Sequence, residues 1–300
     1  MRFFKTLLIL VFLIPLQSAY SFTVGDIPIQ DEGRIKPLDT YARNYLLAFY
    51  GKRSIPELDL TATDWLLDLI LDPAKGKNQK IFNIRNPEVV SSIFLDWSTD
   101  HKYSFNQVLP GLKKQTSLLK LIDDKPANTR TVFEKQLLEL SLNIMRFEEI
   151  SYLKSLKLIP SEISENHEEW ISPFEFILNG IKPNEYQSKI LNALQQYLAS
   201  RMENDFIIMK SSLVDYEVAL KSIPKNLFDI DNLKKERWLN QTNLFYISLA
   251  FYILSFMILG FNWMTRITFT RRISYALLLI GFLAHNKKFY IFFEFHLLRI

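Results

Sequence analysis

The chain has 300 residues, no cysteine and a formal charge of +4. The missing thiols exclude disulfides, thiol exchange and the Cys-x-x-Cys-His attachment site of a c-type cytochrome. The small charge argues against a nucleic-acid surface, and only 8 glycines leave little material for phosphate-cradling or dinucleotide loops, neither of which is present as a motif.

Residues 1–21 fit a secretory signal peptide. Arg2 and Lys5 form its basic region, Leu7 to Leu16 its apolar region, and Ala19 and Ser21 supply small residues near a cleavage point. The apolar run is short for a bilayer span, and an uncleaved anchor is the alternative. Residues 22–243 then form a mostly helical domain, enough chain for one or two compact cores.

Its first element is a short hairpin. Ile27, Ile29 and Ile35 alternate with polar residues, and Asp31-Glu32-Gly33 is the turn, with Gly33 able to take positive φ. Pro37 stops the second strand, and Asp39 or Thr40 is expected to cap the helix that follows. Asp39 and Arg43 have the i, i+4 spacing of an ion pair. That helix runs to about Tyr50 and stops at Gly51. Asp31, Arg34, Lys36, Asp39 and Arg43 are many charges for a core hairpin. Gln30 to Arg43 is therefore expected to offer a contact surface built from Gln30, Asp31, Gly33, Arg34, Lys36, Pro37, Asp39, Thr40 and Arg43.

A helix is predicted from Asp64 to Leu71, then a polar loop over Asp72 to Gln79 and a strand over Ile81 to Ile84. Short helices follow over Val89 to Leu95 and Phe105 to Gln115, with Pro87 and Pro110 as punctuation. The period of Phe133, Leu137, Leu140, Ile144 and Phe147 predicts a helix from Thr131 to Leu158. Ser161 to Ser172 reads as a surface loop. Glu185 to Ile223 is helical with a break near Glu203-Asn204-Asp205.

Leu244 to Trp263 is twenty residues without a charge, long enough to cross a bilayer. Tyr246, Tyr252 and Trp263 suit its interfaces. Arg266, Arg271 and Arg272 follow at once, so residues 264–272 are expected inside and 22–243 outside. Residues 273–285 begin a second apolar helix of about 20 Å. Carrying it through Lys287-Lys288 would place two ammonium groups in the span, at about 2.5–3.5 kcal/mol each near the centre. Residues 286–300 are thus an off-pattern tail, expected to reflect a change of reading frame after His285.

Chemistry-bearing constellations are absent. His101 reads as a surface residue, and His167 lies in Glu165-Asn166-His167-Glu168-Glu169, which is not a His-Glu-x-x-His zinc motif. His285 sits at a membrane edge, where a histidine is a ligand candidate. No nucleophile elbow accompanies any histidine, so an exported hydrolase has nothing in its favour.

Several segments resemble one family. PIQDEGRIKPLDTYAR, from Pro28 to Arg43, resembles the pattern P-V-Q-(D/H)-x-G-R-x-K-P-L-D-T-x-A-R of bacterial System II cytochrome c biogenesis proteins. These are fused proteins with ResB-like and CcsA-like parts. Ile81 to Glu88 resembles that family's x-F-x-I-x-N-P-E, and Tyr103-Ser104-Phe105 with Leu109 resembles Y-S-F-x-x-L-x-P. The resemblance extends over roughly Ile27 to His285.

It implies a membrane-anchored assembly factor for c-type cytochromes in the bacterial cytoplasmic membrane, its main domain extracytoplasmic. The implied partners are apocytochrome c, the CcsA-like haem-handling part and membrane lipids, with no nucleic acid. Haem belongs to the complete system and not to this chain alone, where His285 is the one candidate ligand. The family's Trp-rich loop is absent, so the chain is expected to be a non-catalytic fragment truncated before the haem-handling part. The alternative is a membrane-tethered binding or scaffold protein unrelated to haem. The expected fold is mainly α: a helical domain with an N-terminal hairpin, one transmembrane helix and part of a second.

Overall fold

The structure, a computed structural model, describes residues 21–160, 170–223, 229–242, 244–265 and 267–297. It is mainly α, with three small two-stranded sheets, and divides into two compact units, one at Ser21–Lys234 and one containing Lys235–Ile300.

The first unit opens with β1 (Pro28–Asp31) and β2 (Arg34–Pro37), antiparallel from Pro28↔Pro37 to Asp31↔Arg34. Glu32 and Gly33 make a two-residue turn with φ of 53° and 75°. Positive φ at both central positions is the type I′ signature, whose twist matches that of the strands. Helix α1 (Leu38–Tyr50) follows directly. Tyr41, Ala42, Leu46, Phe49 and Tyr50 form its buried stripe, and Gly51 closes it in a left-handed conformation at φ 78°.

After β3 (Ser54–Ile55) and β4 (Leu60–Thr61) come α2 (Ala62–Leu71), α3 (Pro73–Asn78), β5 (Lys80–Asn83), α4 (Pro87–Ser92) and β6 (Lys102–Ser104). Helix α3 replaces the expected polar loop. Asp72 caps it by accepting from the Lys75 amide at 2.9 Å, and Pro73 fits the first turn because its missing N–H would have had no partner. Strand β5 pairs with β6. Helix α5 (Phe105–Lys114) carries Pro110 internally rather than ending there. Helices α6 (Thr116–Asp123) and α7 (Val132–Ser151) complete this layer.

Five aromatic rings join these elements. Phe147 of α7 lies 5.2–6.0 Å from Phe105, Phe82 and Phe49, and Trp65 meets Phe49 edge-on at 6.1 Å. Offset and edge-to-face pairs add about 0.5–1.5 kcal/mol each beyond area burial. Helix α7 ends at Ser151, not Leu158. Leu156, Leu158 and Ile159 are buried instead in an extended segment, where Lys157 O accepts from the Gln30 amide at 3.0 Å. Bonds to Gln30 of the hairpin and, in both directions, to Ile171 satisfy backbone groups of Lys157 and Ile159 outside a helix.

Helix α8 (Pro173–Leu178) precedes the antiparallel pair α9 (Glu185–Glu203) and α10 (Phe206–Lys221). The predicted break lies at Asn204, in the left-handed region at φ 57°, and Asp205 caps α10 through the amides of Ile207 and Ile208. Arg201 ties α9 to α2 through Asp64 and Asp68 at 3.2 and 3.0 Å. Helix α11 (Ile230–Thr242) begins in this unit.

The second unit is built on α12 (Leu244–Thr265) and α13 (Thr268–Leu297), packed antiparallel. Residues Leu244–Met264 are long and apolar enough to cross a membrane. Helix α13 does not stop at His285; its backbone stays helical through Leu297. Ser255 and Ser274 exchange hydroxyl-to-carbonyl bonds of 2.8 Å in each direction. Gly281 lies so close to α12 that a Cβ there would sit 2.9 Å from the Tyr252 ring. Small and hydroxyl-bearing residues at such a contact are how helices pack where the hydrophobic effect offers no drive.

Candidate functional site

The residues expected to form a contact surface lie in one place, and most are turned to one another. Lys36 is 7% exposed and donates to Asp31 at 2.7 Å; Tyr45 donates to the same carboxylate at 3.4 Å. Asp39 is 3% exposed and accepts from Arg43 Nε at 2.8 Å and from Thr63 at 3.3 Å. Neither Asp39 nor Thr40 caps α1, which starts at Leu38 with Pro37 as N-cap and no side-chain cap bond. Asp39 sits in the first turn, where a carboxylate favours the positive end of the helix dipole. Gln30 is buried and its side-chain oxygen accepts from the Trp170 amide at 2.7 Å. Arg34 closes the hairpin opposite Asp31. The charge density is thus explained by one ion pair inside the hairpin and one inside the helix, with the Tyr45–Asp31 hydrogen bond joining the two elements, and the exposed part of the motif is the turn at Glu32 and Gly33. Burial, then the Asp31 carboxylate, push the Tyr45 phenol up to about 12.

A second arrangement escaped the sequence reading. A cleft of about 210 Å³ opens between the β5–α4 segment and α7. Phe49, Phe82, Ile84 and Leu140 form its apolar floor. Asn83, Arg85 and Asn86 line one side, and Gln136, Glu139 and Asn143 of α7 the other. Asn86 donates across it to Gln136 at 2.7 Å. Asn143, though 6% exposed, commits only its nitrogen, to Ala48 O at 3.4 Å. The cleft wall is the Ile81–Glu88 segment singled out above, joined to a helix more than fifty residues later. The signal that could have found it is the spacing of the polar residues Gln136, Glu139 and Asn143 on one face of α7 beside its apolar stripe.

Near its edge, Tyr50 donates to Glu57 at 2.5 Å, and Lys102 bonds both Tyr50 and Glu57, the latter at 3.1 Å. The Tyr50 hydroxyl, a backbone bond and Lys102 pull the Glu57 carboxyl down to about 2.

His285 is half-buried on α13, its ring 6.1 Å from Phe245 and 6.4 Å from Tyr252. His101 packs at 4.6 Å, tilted by 51°, against the exposed Trp97, and its Nδ1 is buried without a hydrogen-bond partner among the described residues. His167 lies outside the described residues. Among the described residues no three metal-ligating side chains gather. What the site offers is recognition chemistry: an apolar pocket rimmed by carboxamides and one charge of each sign. No protein-family model matches the chain, and no curated protein is significantly similar to it.

Proposed function

We propose that the chain is a membrane-anchored assembly factor for c-type cytochromes, holding an extracytoplasmic domain that presents apocytochrome to a haem-handling partner. Haem is cargo of the complete system, and this chain's own work is with polypeptide. One observation carries the reading. The Pro28–Arg43 motif that resembles the System II family is a single folded device, with Asp31–Lys36 in the hairpin and Asp39–Arg43 in the helix it leads into. The helix Leu244–Met264 supports the anchor. The arginines behind it and the N-terminal segment support an extracytoplasmic domain in a bacterial cytoplasmic membrane.

Deleting the gene in its own organism should remove haem-stained c-type cytochrome bands, and the chain in trans should restore them. Unchanged bands in the deletion strain overturn the reading. They favour the second reading, a membrane-tethered binding module unrelated to haem, which the cleft supports equally well.

A further inference from the structure

We infer that an exposed patch of lysines and apolar side chains, built from Lys77, Tyr152, Lys154 and α8, rests on the headgroups of an anionic lipid bilayer. The inference deepens the function proposed above and rests on its anchor, the crossing of the membrane by α12. The patch is continuous. Lys77 of α3 donates to the Tyr152 hydroxyl at 3.0 Å and lies 4.4 Å from the centre of that ring. Lys154 lies 5.8 Å from the same ring and 5.1 Å from the ring of Phe174. Phe174, Ile177 and Leu178 share one face of α8 by their i, i+3, i+4 spacing, while Phe176 is buried on the other. Ile177 and Leu178 are 80% and 69% exposed, so α8 ends in an apolar knuckle that no other described element covers.

The cations of the patch are unmatched. Among the described residues no carboxylate pairs with Lys77, with Lys154 or with the exposed Lys182 just beyond α8. The one carboxylate of α8, Glu175, is turned to Ser172 at its own N-cap, 3.1 Å away. Unmatched ammonium groups beside exposed aromatic and aliphatic side chains suit a surface with phosphates outside and hydrocarbon just beneath. There lysines reach the headgroups, rings sit at the interface and aliphatic side chains enter the acyl boundary. Two other exposed apolar groups lack this chemistry: Asp96 and Asp100 stand among Phe94, Trp97 and His101, and Glu203 stands between Met202 and Phe206. The tether brings the bilayer within reach. Lys234 ends the first unit and Leu244 begins the span. Helix α11 covers the interval as far as Thr242, so at a helical rise the tether measures about 15 Å. A body of this chain length has a radius of gyration of about 17 Å, so one of its faces lies at or close to the bilayer surface.

The absence of cysteine permits one reporter at a time. Asn179→Cys, at an exposed position beside Leu178, is labelled with a small environment-sensitive fluorophore in the full chain. The chain is reconstituted in vesicles of phosphatidylcholine, with or without an equal part of phosphatidylglycerol. The acyl chains carry a nitroxide quencher, near the headgroup or at mid-chain. The shallow nitroxide should quench Asn179→Cys severalfold more in the anionic vesicles than in phosphatidylcholine alone. Ile177→Ser with Leu178→Ser should abolish that quenching, and Lys77→Gln with Lys154→Gln should erase the difference between the two lipids. Thr99→Cys, beside Trp97, and Ser211→Cys, one turn from Ile207, should stay unquenched. Phe256→Cys in α12 should be quenched by the mid-chain nitroxide in both lipids. Quenching at Phe256→Cys but not at Asn179→Cys overturns this inference and leaves the anchor standing. Equal quenching at Thr99→Cys or Ser211→Cys also overturns it, because another face would then meet the bilayer, and so does quenching at Asn179→Cys that ignores lipid charge. An unquenched Phe256→Cys sinks the anchor and this inference with it. Lost cytochromes in the deletion strain beside an unquenched Asn179→Cys sink this inference alone, and unchanged cytochromes beside a quenched one sink the proposed function alone.

Discussion

Gly33 and Asp39 show how much one residue decides here. Gly33 has φ +75° and nothing within 4 Å of where a Cβ would be, so any cost of substitution comes from the backbone alone. Gly33→Val should destabilise the chain by about 1–3 kcal/mol, since β-branched residues resist this region. Gly33→Asn should cost less, because asparagine tolerates it. Thermal unfolding of the two variants checks the order, and equal midpoints would contradict it. Asp39 makes the converse case: the side chain expected to cap α1 instead accepts from Arg43 and Thr63 while almost fully buried. Asp39→Ala should lose about 1.5–3 kcal/mol, the range for hydrogen bonds to a charged group. Arg43→Met should lose less, because that guanidinium is 21% exposed and its stem packs either way. Denaturant titration of both variants decides it.

Among elements, the joints are polar and therefore tunable. The Tyr50–Glu57–Lys102 chain links the end of α1 to β6 across the turn that follows β3. The folded Glu57 carboxyl titrates near 2 against an ordinary 4.5, a depressed value. Its contribution is therefore complete above pH 4.5 and disappears as pH falls through about 2. The melting-point gap between the parent chain and Glu57→Gln should be constant at neutral pH and close over that window; a gap that persists at pH 2 would show that the carboxylate is not the cause. The joint between α12 and α13 admits a covalent test, because the chain contains no cysteine. Ser255 and Ser274 have their hydroxyl oxygens 3.1 Å apart. Ser255→Cys with Ser274→Cys should crosslink on mild oxidation, whereas Phe256→Cys, on a side chain 77% exposed, should not pair with Ser274→Cys. Crosslinking in the second pair but not the first would mean a different helix register.

For the whole molecule, the prediction is one of sidedness. Protease added to spheroplasts should digest residues 22–243 and spare the segment near Arg271 and Arg272. Protection of the large domain would place it in the cytoplasm and remove the membrane argument for haem delivery.

Much of this was legible in the chain alone, and for identifiable reasons. The Glu32-Gly33 turn, the stop at Gly51, the break at Asn204 and the span from Leu244 each depend on local chemistry: positive φ, a left-handed cap, or twenty apolar residues. The sequence of helix α3 reads as a polar loop, although Asp72-Pro73, a cap followed by a first-turn proline, carries its local signal. Tertiary structure decided whatever needed a distant partner. Helix α7 stops at Ser151, and the segment after it bridges at Lys157 to Gln30 of a hairpin more than a hundred residues earlier and at Ile159 to Ile171. The motif's ion pairs are local, but Asp39 is buried because α2 packs against α1 and brings Thr63 to its carboxylate. The cleft exists only because α7 crosses the end of β5, bringing Asn143 and Gln136 beside Phe82 and Asn86. Sequence periodicity specifies which face of an element is apolar, whereas the identity of the neighbour that covers that face is set by long-range packing.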